Sequence, residues 1–180
     1  MDYTAAACEP LALTRRSSSV LAVKPSALGP GVALGFAALA AAQPALPNGV
    51  TAAVSTVAFG DITANILAGT AAKTVGTITL TCSNACGGAI TVGLDQGQNG
   101  AATRNLKSGS GALLEYNLYS SLSNEAANSP WGNASGNWVT AAALGGGATD
   151  VLSVYAQVYS SQQTAPVGTY SDIVNVTISF

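Results

Sequence analysis

Residues Tyr170 to Phe180 read YSDIVNVTISF. Tyr170, Val174, Val176, Ile178 and Phe180 fall on one face of an extended strand, with Asp172 the one polar residue among them. Ile173, Asn175, Thr177 and Ser179 fall on the other. A period of two sustained over this length specifies a half-buried strand. The alternation runs to the last residue given, an aromatic, where most chains fray unless something ties them down. The expectation is a terminal strand that is buried or bound as far as Phe180.

The chain around this strand has 180 residues, of which 8% are charged and 48% hydrophobic, with 20 Gly and no His. The length suits one domain, or one domain behind a leader. So few charges and so many apolar residues exclude ordinary disorder, which needs the reverse. Six basic residues neutralise too few phosphates for nucleic-acid binding, and Arg15, Arg16 and Lys24 lie in the expected leader. A weakly charged chain rich in Thr, Ser, Gly and Val reads as an extracellular β-protein.

Residues 31–42, GVALGFAALAAA, are an apolar run of 12 between Pro30 and the prolines Pro44 and Pro47. That is too short to span a bilayer and fits a signal-peptide core. Lys24 precedes it, and Ala40-Ala41-Ala42 supplies small residues for cleavage after Ala42. The expected organisation is a leader and signal peptide over 1–42, with the true start near Val20 or Val23, a short linker over 43–49 and a β-domain over 50–180. The membrane is met only in transit. Cys8 leaves with the leader. Cys82 and Cys86 remain, an even number in an exported protein, so a disulfide is the default. Two thiols without His are too few ligands for a metal, and CxxxC is not the redox spacing CxxC.

Strands are expected at Val50–Phe59, Ile62–Ala68, Val75–Cys82, Ala89–Asp95, Arg104–Leu106, Leu113–Ser120, Asp150–Tyr159 and over the terminal stretch. Val75–Cys82 and Ala89–Asp95 read as a hairpin with the cysteines at its tip, and no helix is expected after the leader. The fold class is therefore all-β, an antiparallel sandwich. An outer-membrane barrel also ends on an aromatic strand, but it requires aromatic girdles and strands of about ten residues throughout. Aromatics here are 6%, and long Gly/Asn/Ser loops leave too little strand.

No catalytic constellation is present in the sequence. Without His there is no Ser/His or Cys/His pair. Asp61, Asp95, Glu115, Glu125, Asp150 and Asp172 form no local signature, and Asp61 and Asp172 read as turn caps or backbone acceptors at strand ends. Gly145-Gly146-Gly147 lacks the Lys and the helix of a phosphate loop. The expectation is no enzyme and no cofactor. Trp131 and Trp138, in the polar stretch Ser121–Gly147, are candidates for stacking on sugars, with packing over the sandwich edge the plainer reading.

Several stretches together resemble the spore coat protein U domain, the fold of the archaic chaperone–usher pilins. They are Val57-Ala58-Phe59-Gly60, Gly76-Thr77-Ile78-Thr79-Leu80-Thr81-Cys82, Arg104, Leu114-Glu115-Tyr116-Asn117-Leu118-Tyr119, Trp131-Gly132, Val154-Tyr155-Ala156, Gln162 or Gln163, and Gly168-Thr169-Tyr170-Ser171-Asp172. The resemblance implies an incomplete immunoglobulin-like sandwich completed by strand donation. A periplasmic chaperone, and later a neighbouring subunit at the usher, would lay a strand along the edge formed by Val174, Val176, Ile178 and Phe180. It implies a secreted structural subunit of a pilus or of a related cell-surface or spore-coat structure, in the periplasm in transit and then at the surface. The alternative is a tip adhesin or carbohydrate-binding sandwich using the Ser121–Gly147 loop. Two departures stand out. Family members pair a Cys in the first strand with the one matching Cys82; Ala52 or its neighbour stands there, so Cys82 either bridges Cys86 locally or both thiols are free. The linker QPALPNG is too short and too proline-broken to serve as a donor, so either Val50–Phe59 serves as donor, at the cost of the first strand, or this subunit accepts a strand without donating one.

Overall fold

The computed structural model describes residues 16–24, 49–62, 69–84, 86, 88–100, 102–142 and 144–179. The apolar run, the cleavage site after Ala42, most of the linker, residues 63–68 of the expected edge strand and Phe180 lie outside the described residues. The strands are β1 (Arg16–Lys24), β2 (Val50–Val54), β3 (Val57–Ala58), β4 (Ala72–Cys82), β5 (Thr91–Leu94), β6 (Arg104–Ser108), β7 (Leu113–Tyr119), β8 (Val139–Thr140), β9 (Thr149–Val158) and β10 (Tyr170–Ser179). A single-turn helix α1 (Leu122–Ala126) follows β7.

The strands make two layers. One runs β2-β4-β9-β7-β6, its backbone the ten-residue antiparallel ladder from Ala72↔Val158 to Thr81↔Thr149. The other runs β8-β5-β10-β1-β3. β10 joins them: Tyr170 and Ser171 pair with Ser108 and Lys107 of β6, and the strand then crosses into the second layer. Alternation decides what faces inward. On β4, Ile78, Leu80 and Cys82 are fully buried, while Thr77, Thr79 and Thr81 stay half-exposed on the outer face. The inward residues of both layers form one core with Leu94, Leu118, Val154, Val176 and Ile178.

The connectivity is that of an immunoglobulin-like sandwich, in which strands A-B-E-D form one sheet and C-F-G the other. Here β2-β4-β9-β7 takes the A-B-E-D order and β5-β10 the C-F pair. Tyr170, at the start of β10, donates its hydroxyl to the Pro166 carbonyl at 2.5 Å, the tyrosine corner of such folds. The seventh position, beside β10, is filled by β1. It runs antiparallel to β10 from Arg16↔Ser179 to Val23↔Asp172 and parallel to β3. Residues 50–180 therefore supply every position but the last.

Three expectations need correcting. First, β4 and β5 are not a hairpin. Both edges of β4 are taken, by β2 and β9, so the chain after Cys82 crosses to the other layer and β5 pairs with β10 and β8. Second, the strand expected over Val50–Phe59 breaks at Ser55. Its hydroxyl accepts the Thr77 N–H at 2.7 Å, and the chain then leaves β4 to place β3 beside β1. Third, α1 breaks the expectation of no helix. Ser121 caps it, accepting the Asn124 N–H at 3.1 Å; one turn is too short to show a helical period.

The crossing after β4 is closed by a disulfide between Cys82 and Cys86, with Cα atoms 6.1 Å apart. Hydrogen bonds dock this loop on the β8–β9 connection: Gly147 N–H donates to the Cys82 carbonyl at 2.6 Å, and Cys86 N–H to Leu144 at 3.3 Å. A loop this small constrains the unfolded chain weakly, so the bridge stabilises by about 2 kcal/mol. Reduction with dithiothreitol is expected to lower Tm by roughly 5–10 °C without unfolding the chain at 25 °C, as read by thermal melts with and without reductant.

Candidate strand-acceptor edge

β10 lies between β5 on one side and β1 on the other. Tyr170, Asp172, Val174, Val176 and Ile178 all point inward and are buried, Val174, Val176 and Ile178 completely. Toward β5 the register is Val176↔Leu94 and Ile178↔Val92. Toward β1, Val176 stands opposite Ser19 and Val174 opposite Leu21. A distant segment of the chain, β1, is laid along this side of β10. Phe180 lies outside the described residues, and no role is assigned to it.

The polar face of this edge is held by two carboxylates. Asp172, buried among apolar neighbours, accepts the Tyr116 hydroxyl at 2.8 Å, the Gln98 and Asn99 N–H groups at 3.0 and 3.2 Å and the Asn99 side-chain amide at 3.0 Å. It acts as the backbone acceptor expected of it. Gly97 makes this possible: its φ of +77° favours glycine, and a Cβ there would stand 2.0 Å from the Asp172 carboxylate. Asp95 accepts Asn175 twice, from the backbone N–H at 2.9 Å and the side-chain amide at 2.6 Å, and so clips β10 to the end of β5.

Beneath both sits Arg104, fully buried. Its Nε donates to the Asp95 carbonyl at 2.8 Å and Nη1 to Asn117 Oδ1 at 2.8 Å. Nη2 donates to the carbonyls of Leu94 at 3.0 Å and Trp131 at 2.6 Å. One guanidinium thereby ties β5 of one layer to β7 of the other. Burial lowers its pKa, and the neighbouring Tyr116, Asp95 and Asp172 oppose that effect. The planar fork explains why Arg stands here: three nitrogens must each meet a fixed acceptor.

Burial also raises the tyrosines. Tyr116 is pushed well above its ordinary 10.0 by desolvation and then by Asp172. Tyr119 is raised by desolvation and its hydrogen bond with Tyr159, and Tyr170 by desolvation. An acid with a raised folded pKa holds its proton longer when folded than when unfolded, so its stability is present below the unfolded value of 10.0 and is lost as pH climbs above it. Each such tyrosine steepens the loss by up to about 1.4 kcal/mol per pH unit. The fold is expected to be flat in stability from neutral pH to about 10 and to fail steeply above it. Tyr116→Phe, which leaves Asp172 its three donors from Gln98 and Asn99, should reduce that slope by about one proton, measured by urea unfolding across pH.

The two tryptophans of the polar stretch part company. Trp131 is 2% exposed, and its indole N–H donates to the Val92 carbonyl at 2.8 Å; it anchors the loop. Trp138 is 44% exposed. Gln162, rather than Gln163, carries the bonding at the matching position: it accepts Glu115 N–H at 2.7 Å and donates back to the Glu115 carbonyl at 3.0 Å, copying a strand partner on the edge of β7. Arg104, Asp95, Asn117 and Asn175 were not read as site residues. The available signal was Arg104 itself, one of six basic residues in a chain almost without charge.

The model of the spore coat protein U domain family matches residues 36–177. No curated protein matches the chain. Among solved structures, it is similar to the AfaE-3 adhesin from Escherichia coli, at 16% identity over 92% of this chain and 95% of that one, with a TM-score of 0.44. It is similar also to the DraE adhesin in complex with chloramphenicol succinate, at 16% identity over 92% and 94%, TM-score 0.44. A third is the DaaE adhesin, at 16% identity over 92% and 97%, TM-score 0.42.

Proposed function

This chain belongs to the spore coat protein U domain family, and on that premise we propose that it is a non-catalytic structural subunit of a chaperone–usher pilus or a related surface coat, accepting a strand along β10. The observation that carries the reading is the seventh strand position: it is filled by Arg16–Lys24, a segment from outside the body of the domain. A sandwich whose last strand comes from elsewhere in the chain can take that strand from elsewhere altogether. Strand addition supplies main-chain hydrogen bonds along an edge that would otherwise template aggregation.

The leader assignment and the position of β1 meet in one statement. Export with cleavage after Ala42 removes Arg16–Lys24 and opens β10. A periplasmic chaperone, then an N-terminal segment of a neighbouring subunit at the usher, would fill the place, and the subunit would finish at the cell surface. The alternation of β10 and the burial of its inward face support this reading, as does the antiparallel sense of the strand beside it. The test is co-expression of the exported chain with a periplasmic chaperone of the chaperone–usher class. The two should co-purify, and deleting Val176–Phe180 should abolish capture. Equal accumulation of monomer without any chaperone would overturn the proposal.

A further inference from the structure

The outer face of the second layer carries a feature that strand acceptance does not use. The loop after Trp131 folds back over β5 and ends at Trp138, one residue before β8. Because Thr140 pairs with Thr91 and Val139 with Val92, Trp138 follows in register toward Gly93. Across β5, Gly93 pairs with Thr177 and Thr91 with Ser179. Trp138, Thr91, Gly93, Thr177, Ser179 and Asn133 line one shallow depression.

Its chemistry is uniform. Among the described residues, no lining side chain is charged. The lining carries the hydroxyls of Thr91, Thr177 and Ser179, the Asn133 amide and the Trp138 indole N–H, with the Thr91 hydroxyl donating to the Ser179 carbonyl at 3.5 Å. Hydroxyls and amides both donate and accept, which matches a ligand whose own groups do both. The indole presents a rigid apolar plane with a polar edge. The floor is kept low by Gly93: a Cβ there would stand 2.9 Å from the Asn133 Cα. The loop itself is fixed from below, by Trp131 on Val92 and by the Leu94 N–H on the Gly132 carbonyl at 3.1 Å. One tryptophan is thus spent anchoring the loop, and the other is left facing water over a row of short, rigid hydroxyls.

We propose that this depression binds a neutral saccharide, one pyranose ring stacking its C–H face on Trp138 while its hydroxyls meet Thr91, Thr177, Ser179 and Asn133. The uncharged polar lining among the described residues matches an uncharged sugar. The described lining lies on β5, β10 and the loop and takes no residue from β1.

The test uses the full-length chain and a panel of neutral gluco-, manno-, xylo-, galacto- and chito-oligosaccharides, followed by tryptophan emission and calorimetry. At least one member is expected to bind saturably at millimolar concentration or below. Trp138→Ala should weaken it about tenfold or more, and Thr177→Val about threefold, with circular dichroism unchanged because both side chains lie on the surface. Thr177→Val serves as the reading should Trp138→Ala perturb the loop. Failure of every panel member at millimolar concentration, or wild-type binding by both variants, would overturn the proposal and leave strand acceptance untouched.

Discussion

Arg104→Met should be the most damaging single substitution in the domain, at about 3–5 kcal/mol. Methionine fills most of the volume, so the loss is one of hydrogen bonding and charge. The carbonyls of Leu94, Asp95 and Trp131 and the Asn117 amide oxygen would all lose a donor. Each buried acceptor left unsatisfied costs about 1–3 kcal/mol, and Asp172, also buried, would lose a nearby positive charge. Against a total stability of roughly 5–15 kcal/mol, that is a large share. Arg104→Lys should recover only part, because a point ammonium cannot reach acceptors spread around a planar fork. Urea unfolding measures it; a loss within about 1 kcal/mol of zero for the methionine variant would show that the guanidinium is dispensable.

Removal of β1 should have a comparable effect by a different route. A chain beginning at Gln43 keeps both layers but leaves β10 with a bare edge on one side. Val174, Val176 and Ile178, now fully buried, would be opened along that edge. Each side chain is worth about 1.5–3 kcal/mol between burial and exposure, so partial uncovering of three costs on the order of 5 kcal/mol. The unpaired N–H and C=O groups of an apolar edge also invite self-association. The expected outcome is a chain that oligomerises or precipitates on purification where the full-length chain should stay monomeric, as read by light scattering.

Much of this was legible in the sequence because it depends on alternation. β4, β9 and β10 each keep a period of two over seven residues or more, and β7 over its first four before both faces are covered, so their inward faces could be named from the residues alone. What alternation cannot tell is which strand pairs with which. Val75–Cys82 and Ala89–Asp95 are neighbours in sequence and looked like a hairpin, yet they belong to opposite layers because β2 and β9 already occupy both edges of β4. The polar site was hidden for a similar reason. Asp172 shows itself as a break in an apolar face, but the four groups that satisfy it come from β7 and the 98–99 turn. Arg104 has partners 9 to 27 residues away. Nor could the occupant of the last strand position be read: Arg16–Lys24, RSSSVLAVK, has weak alternation and was assigned to the leader, and only its register on β10 reveals a place for it.

The central claim, that β10 is an acceptor edge, is tested most directly by giving the strand back from outside. A chain beginning at Gln43 is purified in mild denaturant and titrated with the synthetic peptide RSSSVLAVK, and with a scrambled peptide of the same composition, while Tm and particle size are followed. The account predicts a saturable return to monomer and a rise in Tm, equivalent to about 2.7 kcal/mol at a hundredfold excess over Kd, with no response to the scrambled peptide. A chain that is already monomeric, melts with the full-length protein and ignores both peptides would contradict it.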